Sequence, residues 1–64
     1  INVSEYAGNG EYSDRKANIY QDGEGYFVEV YFQGWPVRQI DVTEHSIHYA
    51  QDTAENWITG IIKD

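Results

Sequence analysis

The 64-residue sequence contains no cysteine, a single proline and only four basic side chains. Without cysteine no disulfide can form, and two histidines cannot complete a four-ligand zinc site. The two usual means of stabilising so small a fold are therefore excluded. A domain of about 60 residues buries only about 60% of the surface of its unfolded chain. We therefore expect one marginally stable domain that gains from self-association.

Long apolar runs are also lacking. Residues 30–32 form an apolar run that ends at Gln33, far short of the roughly 20 residues that span a bilayer. The start of the sequence shows no basic region followed by an apolar core and a small-residue cleavage site. We therefore expect no membrane partner and a cytoplasmic location.

Positive charge is scarce, because eleven acidic residues outnumber the four basic ones and give a net charge of -7. Proteins that bind nucleic acid take much of their affinity from lysines and arginines that displace counterions from phosphates. Four scattered cations cannot supply that affinity, so no nucleic-acid partner is expected. Mimicry of DNA is an alternative, but it requires carboxylates clustered on one side, because the mean charge density is several-fold below that of a duplex.

Residues 15–42 predict three antiparallel strands. Residues 15–21 alternate apolar and polar side chains, and residues 26–33 are the most β-prone stretch of the chain. The turn residues of 22–25 lie between them, which indicates a hairpin. Glycine and proline within 34–36 then separate the second strand from a third strand over 37–42.

Residues 1–14 have two interpretations. The Asn9-Gly10 pair favours a type I′ hairpin turn, which would make residues 1–7 an additional strand. The alternative is a flexible arm, because the segment offers few apolar side chains to a core. Residues 15–64 form the single domain in either case.

The last third of the chain changes from strand to helix periodicity. Ser46 is a suitable N-cap for a helix that starts at Ile47, and a capping box at Asp52 offers a second start. Gly60 weakens the last turn. The apolar residues that recur at steps of three and four are Ile47, Ala50, Ala54, Trp57, Ile58, Ile61 and Ile62.

The predicted fold is therefore α+β, a three-stranded or four-stranded antiparallel meander followed by one C-terminal amphipathic helix. The helix packs on one face of the sheet. The residues expected to be buried between sheet and helix are Ile19, Val28, Val30, Ile40, Val42, Ala50, Ala54, Trp57 and Ile61.

One helix leaves the other face of the sheet open, and the alternation places aromatic side chains there. Phe27, Glu29 and Tyr31 alternate with the core residues of their strand. Tyr20 of the preceding strand joins them. Exposed aromatic patches mark partner surfaces. Tyr20, Phe27, Glu29 and Tyr31 are therefore the predicted interface residues.

Two other residue groups contain the residue types of metal or catalytic sites. His48 and Asp52 share a helix face near His45, but two or three such ligands arise easily by chance. Ser46, His48 and Asp52 lack any oxyanion-hole motif. We therefore expect no enzyme activity, no metal and no cofactor.

Residues 17–62 resemble small acidic proteins of marine cyanobacterial viruses and ocean metagenomes. The resemblance depends on GEGYFVEVY, HSIHYA and AENW, and it implies a source, with a host-cell cytoplasmic location, but no activity. The layout is also similar to AP2-like and integrase-arm modules, which bind DNA through basic residues on the sheet. Here Glu29 and aromatic side chains occupy that face.

The sequence predicts a non-enzymatic protein interaction module that forms a homodimer or a higher symmetric oligomer. The helix-free face or a sheet edge forms the contact. Two alternatives stay open. One is an acidic inhibitor of an unidentified basic host protein, and the other is a nucleic-acid binder that uses the aromatic face.

Overall fold

The computed structural model describes residues 1–23 and 25–62. Glu24, in the predicted turn, and residues 63–64, at the end of the predicted domain, lie outside the described residues. In chain order the elements are β1 (Asn2–Ala7), a short 3-10 turn (Gly10–Tyr12), β2 (Arg15–Asp22), β3 (Gly25–Phe32), β4 (Trp35–Asp41) and α1 (Ile47–Ile58). The strands form one antiparallel sheet in the order β1-β2-β3-β4. The predicted α+β class is confirmed.

The connection between β1 and β2 differs from the predicted hairpin turn. A type I′ turn needs positive φ at both central residues, but Asn9 is extended with φ of -130° and only Gly10 has positive φ, at 60°. The chain instead makes a 3-10 turn, and the Gly8 amide donates to the Arg15 carbonyl at 2.9 Å. The prediction of a type I′ turn was therefore wrong.

The central strands β2 and β3 form the floor of the core. Ala17 lies opposite Val30 and Ile19 lies opposite Val28 in the ladder, and all four side chains are fully buried. Residues two apart in a strand point to the same face, so the apolar alternation of both strands fills the side that α1 covers.

Helix α1 begins at Ile47, as the N-cap position of Ser46 predicted. The Ser46 side chain makes no capping hydrogen bond. Its carbonyl accepts the amides of Tyr49 and Ala50, at 3.1 and 3.3 Å. The first turn is thus held through the backbone.

The helix ends in a Schellman motif. Gly60 has φ of 80°, its amide donates to the Trp57 carbonyl at 3.2 Å, and the Ile61 amide donates to the Asn56 carbonyl at 2.9 Å. A Cβ atom at Gly60 would collide with the ring of Tyr12. Glycine is therefore required here both by the backbone conformation and by the space available.

The core matches most of the predicted set, with two corrections. Ile61 is 72% exposed because the chain turns away at Gly60 and the apolar stripe of the helix stops there. Ile40 is only half-buried. Thr53 is buried in addition and donates to the Tyr49 carbonyl at 2.9 Å. The predicted core residues found buried are Ile19, Val28, Val30, Val42, Ala50, Ala54 and Trp57.

Arg15 fastens the end of α1 to the sheet. Its Nη1 donates to the carbonyls of Trp57 and Ile62, at 3.1 and 3.0 Å. The guanidinium carbon lies 4.3 Å from the centroid of the Trp57 ring, a favourable cation–π distance. The indole Nε1 of Trp57 in turn donates to the Tyr31 carbonyl at 3.1 Å. Hydrogen bonds from a charged side chain, a cation–π contact and a hydrogen bond from the indole to the backbone thus stabilise the same contact between α1 and the sheet.

The helix covers only part of the sheet. It packs on β2, β3 and β1, whereas every residue of β4 except Ile40 is exposed. A helix is about 10 Å wide and strands lie about 4.8 Å apart, so one helix cannot cover four strands. In the described part of the chain, no helix has the length and apolar character needed to cross a membrane.

Candidate functional site

The four predicted interface residues lie together on the helix-free face. Tyr20 is the direct ladder partner of Phe27, and their rings stack with centroids 5.2 Å apart. Glu29 and Tyr31 follow along β3 on the same face. All four are half-buried, because each is partly covered by its neighbours.

Polar groups connect this face internally. The Tyr31 hydroxyl donates to Oε1 of Glu29, and Nδ2 of Asn18 donates to the Tyr20 hydroxyl at 3.2 Å. The hydrogen bond to the Glu29 carboxylate, followed by burial and the contact with Tyr20, raises the pKa of Tyr31 above that of an ordinary tyrosine. The one carboxylate among the predicted residues is therefore already hydrogen-bonded within the chain.

A shallow depression adjoins this network. It has a volume of about 350 Å³ and is lined by Glu5, Lys16, Asn18, Tyr31 and Gly34. Lys16 is the ladder partner of Tyr31, so one cation and one carboxylate border the same depression. The helix-free face is thus mixed in charge, although the chain as a whole is acidic.

The β4 side of the sheet carries three exposed apolar side chains. Trp35 is 74% exposed, and its ladder partner Phe32 is 40% exposed. Val37 is 37% exposed and is the extra residue of a bulge where β4 shifts its register. We refer to Phe32, Trp35, Val37 and the outer edge of β4 as the β4 surface.

The sequence interpretation missed the β4 surface. The sequence predicts a break between strands at residues 34–36, whereas β4 starts at Trp35 and contains Pro36 as its second residue. Proline is tolerated there because the strand lies at the sheet edge. The available signal was the width of the sheet, since a fourth strand already exceeds what the single predicted helix covers.

The side chains considered for a metal or catalytic site lie at the protein surface. His45 stacks on Tyr49 with centroids 3.9 Å apart, and Ser46, His48 and Asp52 are exposed. Within residues 1–23 and 25–62, no three His, Cys, Asp or Glu side chains are arranged to hold a metal ion. The predicted candidates for metal ligands therefore do not form a three-ligand site in this part of the chain.

A second depression of about 430 Å³ lies before α1, lined by Asp41, Thr43, Glu44 and His45. The Asp41 carboxylate accepts the Thr43 hydroxyl and also the Thr43 amide, the latter at 2.9 Å. These bonds lower the pKa of Asp41. The carboxylate therefore stabilises the turn that leads into the helix and is not poised to exchange protons near neutral pH.

Neither a family model, nor a curated protein, nor a solved structure matches the chain. Function is therefore inferred from the surface of this chain alone.

Proposed function

We propose that the chain is a non-enzymatic interaction module that binds a second copy of itself through the β4 surface. The observation that carries the proposal is the incomplete cover of the sheet by α1, which leaves Phe32, Trp35 and Val37 exposed. Apolar side chains grouped on a surface favour contact with a partner. A 64-residue chain without disulfides also gains more than a large one from burying further surface.

The helix-free face has a secondary role in this proposal. The bond between Tyr31 and Glu29 means that a partner approaching this face would not leave the carboxylate without a hydrogen bond. The hydroxyls of Tyr20 and Tyr31 already have hydrogen-bond partners within the chain, so this face gains less from a partner than the β4 surface does. Tyr20 and Phe27 likewise already cover one another.

The absence of enzyme activity is part of the proposal. Catalysis relies on a cleft that removes water from the reacting groups and shifts their pKa values toward the working pH. The pKa shifts of Tyr31 and Asp41 both lead away from neutral pH. A tyrosine with a raised pKa and an aspartate with a lowered pKa are suited to structural hydrogen bonds.

Sedimentation equilibrium at about 10–100 µM tests the proposal, since this range detects association of micromolar affinity. We expect twice the 7.4 kDa chain mass for the wild type. Trp35→Glu places a charge in the β4 surface and is expected to return the chain to monomer, whereas Tyr31→Glu on the helix-free face is expected to stay dimeric. Circular dichroism verifies that both variants are folded.

Each alternative outcome has a defined meaning. A wild type that remains at 7.4 kDa throughout contradicts self-association. A dimer that is lost in Tyr31→Glu but kept in Trp35→Glu moves the interface to the helix-free face.

A further inference from the structure

The hydrogen-bond pattern of β4 determines which of its backbone groups face outward. The Val42 amide donates to the Tyr26 carbonyl. Tyr26 and Val42 lie opposite each other, one position beyond the pair of Phe27 and Asp41. In an antiparallel ladder, residues that exchange hydrogen bonds alternate with residues that do not. Ile40 and Arg38 therefore bond to β3, and the N–H and C=O groups of the residues between them point away from it.

Gln39 and Asp41 are the residues whose backbone groups point outward by this alternation, which Val37 does not continue because it is the extra residue of the bulge between Pro36 and Arg38. No strand lies beside them among the described residues, because β4 is at the edge of the sheet. Pro36, which has no N–H, lies before this row and does not interrupt it. The row is therefore a free edge that can receive another strand.

We propose that two copies of the chain join their β4 strands antiparallel, with Gln39 opposite the partner's Gln39, to form one continuous eight-stranded sheet. This inference rests on the proposed self-association and specifies its geometry. In this register the two Gln39 residues form a directly opposed pair that exchanges both N–H···O bonds. The edge is thus complementary to itself about a two-fold axis.

Charge disfavours two of the neighbouring registers. A two-fold axis at Arg38 would place two arginines directly opposite each other, and an axis at Asp41 would do the same with two carboxylates. With the axis at Gln39, Arg38 instead lies opposite the partner's Ile40. An axis at Val37 would require regular pairing through the bulge beside Pro36.

Electrostatics also favours β4 over the opposite edge of the sheet. Each chain has a net charge of -7, so two copies approach most easily where a basic side chain offsets the carboxylates. β4 carries one cation, Arg38, and one carboxylate, Asp41. The other edge strand, β1, carries Glu5 and no basic side chain. Pairing through β4 therefore brings a cation from each chain toward an acidic partner.

Single-cysteine variants test the register directly, because the chain has no cysteine of its own. Disulfides form between residues whose Cα atoms lie about 4.4–6.8 Å apart, and directly opposed residues in an antiparallel pair meet this requirement. In a glutathione buffer, Gln39→Cys is expected to form a covalent dimer in most chains. Arg38→Cys is the matched control, because its diagonal separation of about 7–8 Å is too long.

A mixed sample separates geometry from the reactivity of position 38. Arg38→Cys combined with Ile40→Cys is expected to give the covalent heterodimer, because these positions are directly opposed in the proposed register. Gln39→Pro is expected to dissociate the dimer without loss of fold, since it removes an N–H that β3 does not use, whereas Gln39→Ala is expected to stay dimeric.

The outcomes distinguish this inference from the proposed function. A wild type that is monomeric by sedimentation overturns both. A dimer in which Arg38→Cys crosslinks faster than Gln39→Cys overturns the register but keeps self-association. A dimer in which no β4 cysteine forms a disulfide, and which tolerates Gln39→Pro, overturns strand pairing through β4.

Discussion

The two tryptophans of the chain have opposite environments, and so do its two arginines. Trp57 is 1% exposed beneath the helix, whereas Trp35 is 74% exposed on the β4 side. Arg15 is half-buried between aromatic rings, and Arg38 is exposed. The residue types are identical, so the difference comes from the position of α1 over the sheet. One short helix therefore leaves the sheet with a side that it covers and, at β4, a side that it does not cover.

The largest expected effect is the loss of the buried tryptophan. Trp57→Ala removes the central side chain of the core and the Nε1 bond to the Tyr31 carbonyl, so we expect a loss of about 3–5 kcal/mol in the free energy of unfolding. Urea denaturation measures it. Trp35→Ala is the control and is expected to change stability by no more than about 0.5 kcal/mol.

Both tryptophan variants are compared at about 1 µM, where association contributes little to stability. Equal losses for Trp57→Ala and Trp35→Ala would contradict the division into a covered and an uncovered side.

The arginines provide an intermediate effect. Arg15→Ala leaves the carbonyls of Trp57 and Ile62 without their charged donor, and such hydrogen bonds contribute about 1.5–3 kcal/mol. The matched change, Arg38→Ala, is expected to leave monomer stability within about 0.5 kcal/mol. Thermal unfolding of the two variants checks the order. A larger loss for Arg38→Ala would show that Arg15 does not fasten the helix.

The covered side could be predicted from the sequence because its signals are local. The alternation around Ala17 and Ile19 and the start of α1 at Ile47 follow from periodicity and an N-cap residue. Arg15 shares the alternation of Ala17 and Ile19, which places it on the helix side. Its hydrogen-bond partners lie more than forty positions away in the chain, so no local sequence pattern predicts them.

Several features outside the covered core could not be predicted in the same way, because they depend on contacts between separate elements. The position of Ile61 depends on where Gly60 ends the helix against Tyr12. The grouping of Tyr20, Phe27, Glu29 and Tyr31 on one face follows from alternation, but the hydroxyl of Tyr31 turning to Glu29 does not. Side-chain torsions within a face are set by neighbours on adjacent strands.

The smallest expected effect concerns the helix-free face and appears only at high pH. The hydrogen bond to Glu29 raises the pKa of Tyr31 in the folded chain above the unfolded value of about 10. The stability that this bond contributes is therefore fully present below about pH 10 and is lost as the pH rises toward the folded pKa.

Tyrosinate absorbance, taken as the difference between wild type and Tyr31→Phe, should show Tyr31 titrating after the bulk of the tyrosines. In Glu29→Gln the pKa of Tyr31 is expected to fall back toward the ordinary value, while the dimer at neutral pH stays unchanged. A Tyr31 that titrates with the other tyrosines in the wild type would contradict the bond, and a dimer that dissociates in Glu29→Gln would assign the helix-free face a larger part in self-association than the β4 surface leaves for it.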